Sequence, residues 1–202
     1  MNLEIPEGPF EAYIFDCDGT LADSMPVHYE SFLSSFEFMG VDIDLSEEVY
    51  YGLAGVPIHE FTGYINRKFS KNIDSHELDE VKNRFFRESL DQIKPVPEVL
   101  ALFKASVGKF AIGVASGGTR HCVSRTLSIL GIDHLVEALV TAEDVARGKP
   151  APDIFLKTAE LLGVDPKACL VFEDAGLGIE AAHSAGMQAV HVKTHPYSKL
   201  AL

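Results

Sequence analysis

Two carboxylates one residue apart, Asp16 and Asp18, stand where the apolar run Ala12-Tyr13-Ile14-Phe15 stops abruptly. A short apolar run bounded by polar residues reads as a buried strand. Both acids then sit at its carboxyl end, where open parallel sheets bind their ligands. With Cys17 pointing the other way, the pair faces one side of the turn, close enough to share a hard cation through oxygen ligands. Gly19 lets the backbone turn sharply, and Thr20 can offer a hydroxyl or an amide to an anion. Asp-x-Asp-Gly is also ordinary turn chemistry after a strand, so a site here requires partners from elsewhere in the chain.

Those partners recur where other apolar runs end. Ser116 closes the run from Phe110, Glu173 and Asp174 close the run Cys169 to Phe172, and Lys149 opens a helix beside them. Each has a bland reading. A lysine before prolines is usually a solvated loop residue, and acids are favoured at helix N-termini by the dipole. All strand carboxyl ends of a parallel sheet lie along one edge, however, so residues far apart in sequence would meet in one cleft. Their shared placement, more than any one of them, argues for a site.

The string Asp16-Cys17-Asp18-Gly19-Thr20-Leu21-Ala22-Asp23-Ser24 resembles the first motif of the haloacid dehalogenase-like hydrolases, in their phosphatase and phosphomutase branch. Haloalkanoate dehalogenases lack the second Asp, so Asp18 argues for phosphoryl chemistry. Cys17 departs mildly from the Leu or Met usual there. Val114-Ala115-Ser116 resembles the second motif, Gly148-Lys149-Pro150-Ala151-Pro152-Asp153 the third, and Val171-Phe172-Glu173-Asp174 with Ala175-Gly176-Leu177-Gly178-Ile179 the fourth. The match covers nearly the whole chain. It implies a Rossmann-like parallel sheet core with an inserted helical cap of the C1 type. It also implies Asp16 as nucleophile, Asp18 as general acid and base, and Mg2+ bound by the Asp16 carboxylate, the Asp18 main-chain carbonyl and Asp174, with Glu173 beside it.

Elementary electrostatics agrees with those roles. A carboxylate attacking a phosphate dianion faces roughly 8 kcal/mol of repulsion at ~4 Å for an effective dielectric of ~20. Mg2+ and the Lys149 ammonium can offset it. Ser116 and the amides of Gly117 or Gly118 can donate to the equatorial oxygens. The expected cycle is in-line attack by Asp16 while Asp18 protonates the leaving alkoxide, then hydrolysis of the aspartyl phosphate by water that Asp18 deprotonates.

The substrate-facing loop is expected at Leu53-Ala54-Gly55-Val56-Pro57-Ile58, although a plain Gly-Pro turn between helices reads as well. This stretch resembles the specificity loop of the β-phosphoglucomutase-like branch, and His28 falls where that branch carries a His pointing at the cleft. The mutases usually place Lys and Arg in the loop to hold a second phosphate, and here Ala54 and Ile58 stand instead. Bidentate phosphate recognition needs an Arg. Net hydrolysis of a small phosphorylated metabolite, such as a sugar phosphate, is therefore favoured over a β-phosphoglucomutase-type mutase. A signalling receiver domain has the wrong order of elements and no helical cap, and a catalytically dead binding protein would not need the full set of reactive residues present here.

The elements that must position these groups alternate. Strands are expected at Phe110 to Ala115, Leu135 to Val140, Cys169 to Phe172 and Ala189 to Val192, separated by helices with Val99 and Phe103, Val123 and Leu127, a run to Leu162, and Ala175 to Ala185. Such alternation marks an α/β fold with a parallel sheet. Between Ser24 and Gln92, four short amphipathic helices interrupt it: one carrying Phe32 and Phe36, one from Ser46, one with Phe61 and Ile65, and one with Asp74 and Glu77 as a capping box. The expected domains are residues 1–23 with 93–202 as the core and 24–92 as the cap.

Composition bounds the rest. The 202 residues are 47% hydrophobic with a formal net charge of −13, so neither nucleic acid nor an acidic membrane is an expected partner. No apolar stretch approaches the ~20 residues of a membrane span, and the acidic start, Met1 to Pro9, lacks the positive charge of a signal peptide. Cys17, Cys122 and Cys169 form no Cys-x-x-Cys pair, which fits reduced thiols. A cytoplasmic monomer is expected.

Overall fold

The computed structural model describes residues 3–53 and 56–194. They form two compact units, one from residues 3–23 with 94–194 and one from the intervening helices. Gly55 and Ala54 of the expected substrate loop, and the tail from His195, lie outside the described residues.

In chain order the elements are β1 (Ala12–Phe15), β2 (Ala22–Asp23), α1 (Met25–Phe38), α2 (Glu47–Gly52), α3 (Ile58–Phe69), α4 (Ser75–Glu88), β3 (Lys94–Pro95), α5 (Pro97–Ser106), β4 (Ala111–Ser116), α6 (Arg120–Ile129), β5 (Ala138–Thr141), α7 (Asp153–Leu162), β6 (Cys169–Glu173), α8 (Gly176–Ser184) and β7 (Gln188–His191). Five strands make one parallel sheet of order β5-β4-β1-β6-β7. β1 lies at its centre, with Phe15 opposite both Val114 and Phe172.

Alternation along β1 sends successive side chains to opposite faces. Ala12 and Ile14 join Val171, Ile154, Phe155, Ala181 and Ala182 in a core under α7 and α8. Tyr13 and Phe15 belong to an aromatic set: Phe15 stacks on Phe172 at 4.6 Å, Tyr13 on Phe110 at 4.0 Å, and Phe103 of α5 tilts against Phe15 at 5.2 Å. Such pairs add to the stabilisation from burial, by about 1 kcal/mol each. The strand that ends in Asp16 is thus packed on both faces and hydrogen-bonded along both edges.

One expected strand is shorter than its apolar run. Leu135 lies in a 3-10 turn from Asp133, with its amide donating to Ile132 O at 3.0 Å. Contact with β4 begins only at Glu137 N–H, which donates to Ile112 O at 2.9 Å. Beyond β5, Asp144 accepts from the Thr141 N–H and hydroxyl and from the Arg120 guanidinium of α6. These hydrogen bonds hold the Asp144 carboxyl down at about 2, with Arg120 the largest cause. A depressed carboxyl pKa stabilises the fold fully above the unfolded value, ~3.9, and that contribution is lost as pH falls through the folded value. Asp144→Asn is therefore expected to be less stable than the parent at pH 6, with the gap closing between about pH 4 and pH 2, in urea unfolding followed at each pH.

The helical unit packs its rings together, as amphipathic helices must. Phe32 and Phe36 of α1, Tyr50 of α2, Phe61 and Ile65 of α3 and Leu78 of α4 form its core, with Phe32 4.5 Å from Phe61. Ser46 caps α2 through Val49 N–H, and Asp74 caps α4 through His76 and Glu77 N–H, each cap contributing about 1 kcal/mol. The chain leaves the sheet unit and returns to it through a two-residue antiparallel ribbon, in which Asp23 is opposite Lys94 and Ala22 opposite Pro95. Among the described residues no helix is long and apolar enough to cross a membrane, and all three cysteines are free.

Candidate active site

The carboxyl ends of β1, β4 and β6 lie side by side, and the Asp16 and Glu173 side chains with the Ala115 main-chain carbonyl meet the Lys149 ammonium. Lys149 Nζ donates to Asp16 Oδ1 at 2.7 Å, to Ala115 O at 3.2 Å and to Glu173 Oε1 at 3.3 Å. The lysine lies in the loop before α7 and does not open that helix, which starts at Asp153. Asp16 and Glu173 are buried and Lys149 is half-buried, with side-chain exposures of 7%, 2% and 13%.

One ligand oxygen from each of Asp16, Glu173 and Asp174 lies within 4.8 Å of the others. Three ionised carboxylates against one ammonium leave two negative charges in a largely dry pocket. The pKa directions report that imbalance. Burial, then the Asp16 charge, pushes Glu173 well above its usual range. The same two causes push Asp174 up to about 8. Burial also raises Asp16, against the opposing pull of Lys149. For Lys149, burial works downward but is outweighed by the Asp16 and Glu173 carboxylates, so its ammonium is held more firmly than usual.

The arrangement fits a divalent cation. Glu173 Oε2 is buried without a hydrogen-bond partner, a state that costs about 1–3 kcal/mol or more for a charged oxygen unless something binds it. Two glycines make room for these oxygens. A Cβ on Gly178 would fall 1.6 Å from Glu173 Oε1, and one on Gly19, at φ +84°, would fall 2.2 Å from Asp174 Oδ2. An all-oxygen acidic set suits Mg2+ better than a soft metal.

The other expected residues are distributed around this cluster. The carboxylate of Asp18 points at the Ser116 loop, with Oδ2 3.5 Å from where a Gly118 Cβ would stand. It is not among the three clustered carboxylates. Ser116 is buried at the end of β4, and its Oγ accepts from Gly118 N–H at 3.1 Å. The Gly118 amide is therefore engaged within its own loop, and Gly117 is the exposed glycine there. Thr20 stands next to the acidic cluster. Its hydroxyl donates to Asp174 Oδ1 at 3.2 Å and its amide to Cys17 O at 3.4 Å. In this arrangement the hydroxyl orients the Asp174 carboxylate. Sequence reading missed this because β6 is brought beside β1 by pairing across more than 150 positions.

In the helical unit, His28 stacks flat on Phe86, with centroids 3.8 Å apart. Val56 is half-buried, with its N–H donating to Leu53 O at 3.1 Å. Cys17 is buried, and burial followed by the Asp18 and Asp16 charges raises its thiol pKa well above the ordinary value. A thiol held protonated is a poor nucleophile.

A family model described as haloacid dehalogenase-like hydrolase matches residues 13–192. The chain belongs to the haloacid dehalogenase-like hydrolases. Within this family it is 34% identical, over 91% of its length and 97% of the relative's, to the fructose-1-phosphate phosphatase YqaB of Escherichia coli. It is 32% identical to the phosphorylated carbohydrates phosphatase of Thermotoga maritima, over 92% of this chain and 86% of that one. Among solved structures, the β-phosphoglucomutase of Clostridium difficile superposes with a TM-score of 0.74 at 29% identity, covering 95% of this chain and 88% of that one. The α/β fold with its parallel sheet is the fold of these haloacid dehalogenase-like proteins.

Proposed function

We propose that this hydrolase is a Mg2+-dependent phosphatase that cleaves a small phosphomonoester, a sugar phosphate, through an aspartyl-phosphate intermediate on Asp16. The observation that carries the reading is the Lys149 ammonium lodged between the Asp16 and Glu173 carboxylates, with Asp174 close by. The names of the curated relatives support it.

In this reading the carboxylates of Asp16 and Asp174 and the Asp18 main-chain carbonyl hold the ion, with Glu173 beside it. When bound, Mg2+ supplies positive charge to the phosphoryl oxygens as a Lewis acid. Asp16 attacks phosphorus in line, with one oxygen held by Lys149 and the other directed at the substrate. Lys149 lowers the repulsion between two anions in a site where water screens little. Ser116 and Gly117 bind phosphoryl oxygens from the β4 side. Asp18 gives its proton to the leaving alkoxide and then takes one from the water that hydrolyses the aspartyl phosphate. Residues 24–92 serve as the cap of this family.

The test is phosphate release from a panel of phosphorylated sugars that includes fructose 1-phosphate, with p-nitrophenyl phosphate as a generic ester. Mg2+-dependent release, abolished by EDTA, is expected. Conversion of β-glucose 1-phosphate to glucose 6-phosphate, with trace bisphosphate and without free phosphate, would replace hydrolysis by the mutase reaction. Absence of turnover on every ester would remove the enzymatic reading.

A further inference from the structure

The chain at the end of β7 makes three hydrogen bonds, one to the last residue of β6 and two to the loops that follow β6 and β1. Val192 N–H donates to Glu173 O at 2.8 Å, His191 Nε2 lies 2.8 Å from Asp174 O, and Thr194 Oγ1 donates to Gly19 O at 3.1 Å. A carbonyl only accepts, so His191 Nε2 carries the proton. The Val192 bond continues the parallel pairing of β6 with β7, in which Glu173 faces His191. The two side-chain bonds do not belong to any strand ladder. They reach carbonyls beyond the ends of β6 and β1, where the sheet no longer holds the backbone.

Those two carbonyls belong to loops that touch each other. Gly19 lies close enough to Asp174 that a Cβ on it would overlap Asp174 Oδ2, and the next residue, Thr20, donates to Asp174 Oδ1. Asp174 is thereby gripped at both ends, its carboxylate by Thr20 and its carbonyl by His191. The Gly19 carbonyl belongs to the peptide that leads into Thr20, so the hydrogen bond from Thr194 fixes the peptide carrying the residue that holds Asp174 Oδ1. A single short segment thus ties down both acid-bearing loops.

We propose that residues 191–194 latch the metal-binding loops, with His191 and Thr194 as positioning residues for Asp174, the second acting through Thr20. This rests on the reading of the acidic cluster as the Mg2+ site. The latch holds the carboxylates of Asp16, Glu173 and Asp174 at spacings that one ion can bridge before the ion arrives. A turn stabiliser without that role would need neither two donors nor two target loops.

The experiment is a calorimetric Mg2+ titration of the full chain and of four variants, with thermal unfolding of each metal-free protein alongside. His191→Leu and Thr194→Val remove a donor, whereas His191→Gln and Thr194→Ser keep one. Loss of outer-shell partners typically weakens metal binding by about 10–100-fold, so each donor-removing variant is expected to raise the Mg2+ Kd about tenfold and each donor-keeping variant less than about threefold. Equal Kd values across a parent that binds Mg2+ and all its variants would overturn the latch while leaving the phosphatase reading intact. So would a lowered metal-free melting temperature with unchanged Kd. A parent that binds no Mg2+ would overturn both. Should His191→Leu fail to fold, the Thr194 pair decides by the same criterion.

Discussion

Asp16→Asn is expected to lose at least ~10^4-fold in turnover, the scale seen when a covalent nucleophile is removed, while the protein stays folded. The amide matches the carboxylate in shape, and the site is buried, so packing is unchanged. What is lost is chemical: a neutral amide oxygen neither attacks phosphorus nor binds a divalent ion well. Lys149 keeps Glu173 and Ala115 O as partners. Asp16 is also one of the charges that raise Glu173 and Asp174, so its neutralisation relieves repulsion in the metal-free protein. The expected pair of results is abolished phosphate release at saturating Mg2+ and a melting temperature without Mg2+ no lower than the parent's. Retained turnover would exclude Asp16 as nucleophile.

Lys149→Met is expected to cost about 10^3-fold in kcat/KM, comparable to loss of a principal charge-stabilising donor. Met follows the same apolar path past the Phe155 ring, 5.1 Å from Nζ, but ends without charge. The two buried carboxylates and the half-buried Asp174 then face one another without the ammonium between them. Lys149 lowers the pKa of Asp16, Glu173 and Asp174, so its removal raises all three. The acid limb of the pH–rate profile, where these groups must ionise to bind metal, accordingly moves to higher pH. Measuring kcat/KM from pH 5 to pH 9 checks both effects. A variant within tenfold of the parent and with an unmoved acid limb would place Lys149 outside the chemistry.

Much of this could be read from local sequence because the decisive signals are local. β1, β4 and β6 are short apolar runs that end in polar residues, and the sheet places those ends together whatever the loops do. Helix limits followed from Ser46, Asp74 and Gly163, whose side-chain or left-handed backbone chemistry acts within four residues. Non-local features were not legible. Leu135 is as apolar as the residues of β5, yet its amide is taken by a tight turn. The ribbon of β2 and β3 is too short to show any periodicity. The hydrogen bond from Thr20 to Asp174 depends on which strand lies next to β1, which the residue's type cannot show. Nothing in the composition of His191-Val192-Lys193-Thr194 marks a contact with Gly19 across 175 positions.

The ribbon that joins β2 to β3 bears on how such a chain can be rebuilt. Asp23 and Lys94 are opposite each other, so the whole helical insert enters and leaves through neighbouring backbone positions, and a two-residue type I′ turn is long enough to connect them. The sheet's connectivity is indifferent to what hangs from that junction. Helices of another length or sequence could be grafted between the same two residues without changing a single strand register, leaving the reactive carboxylates on an unaltered frame.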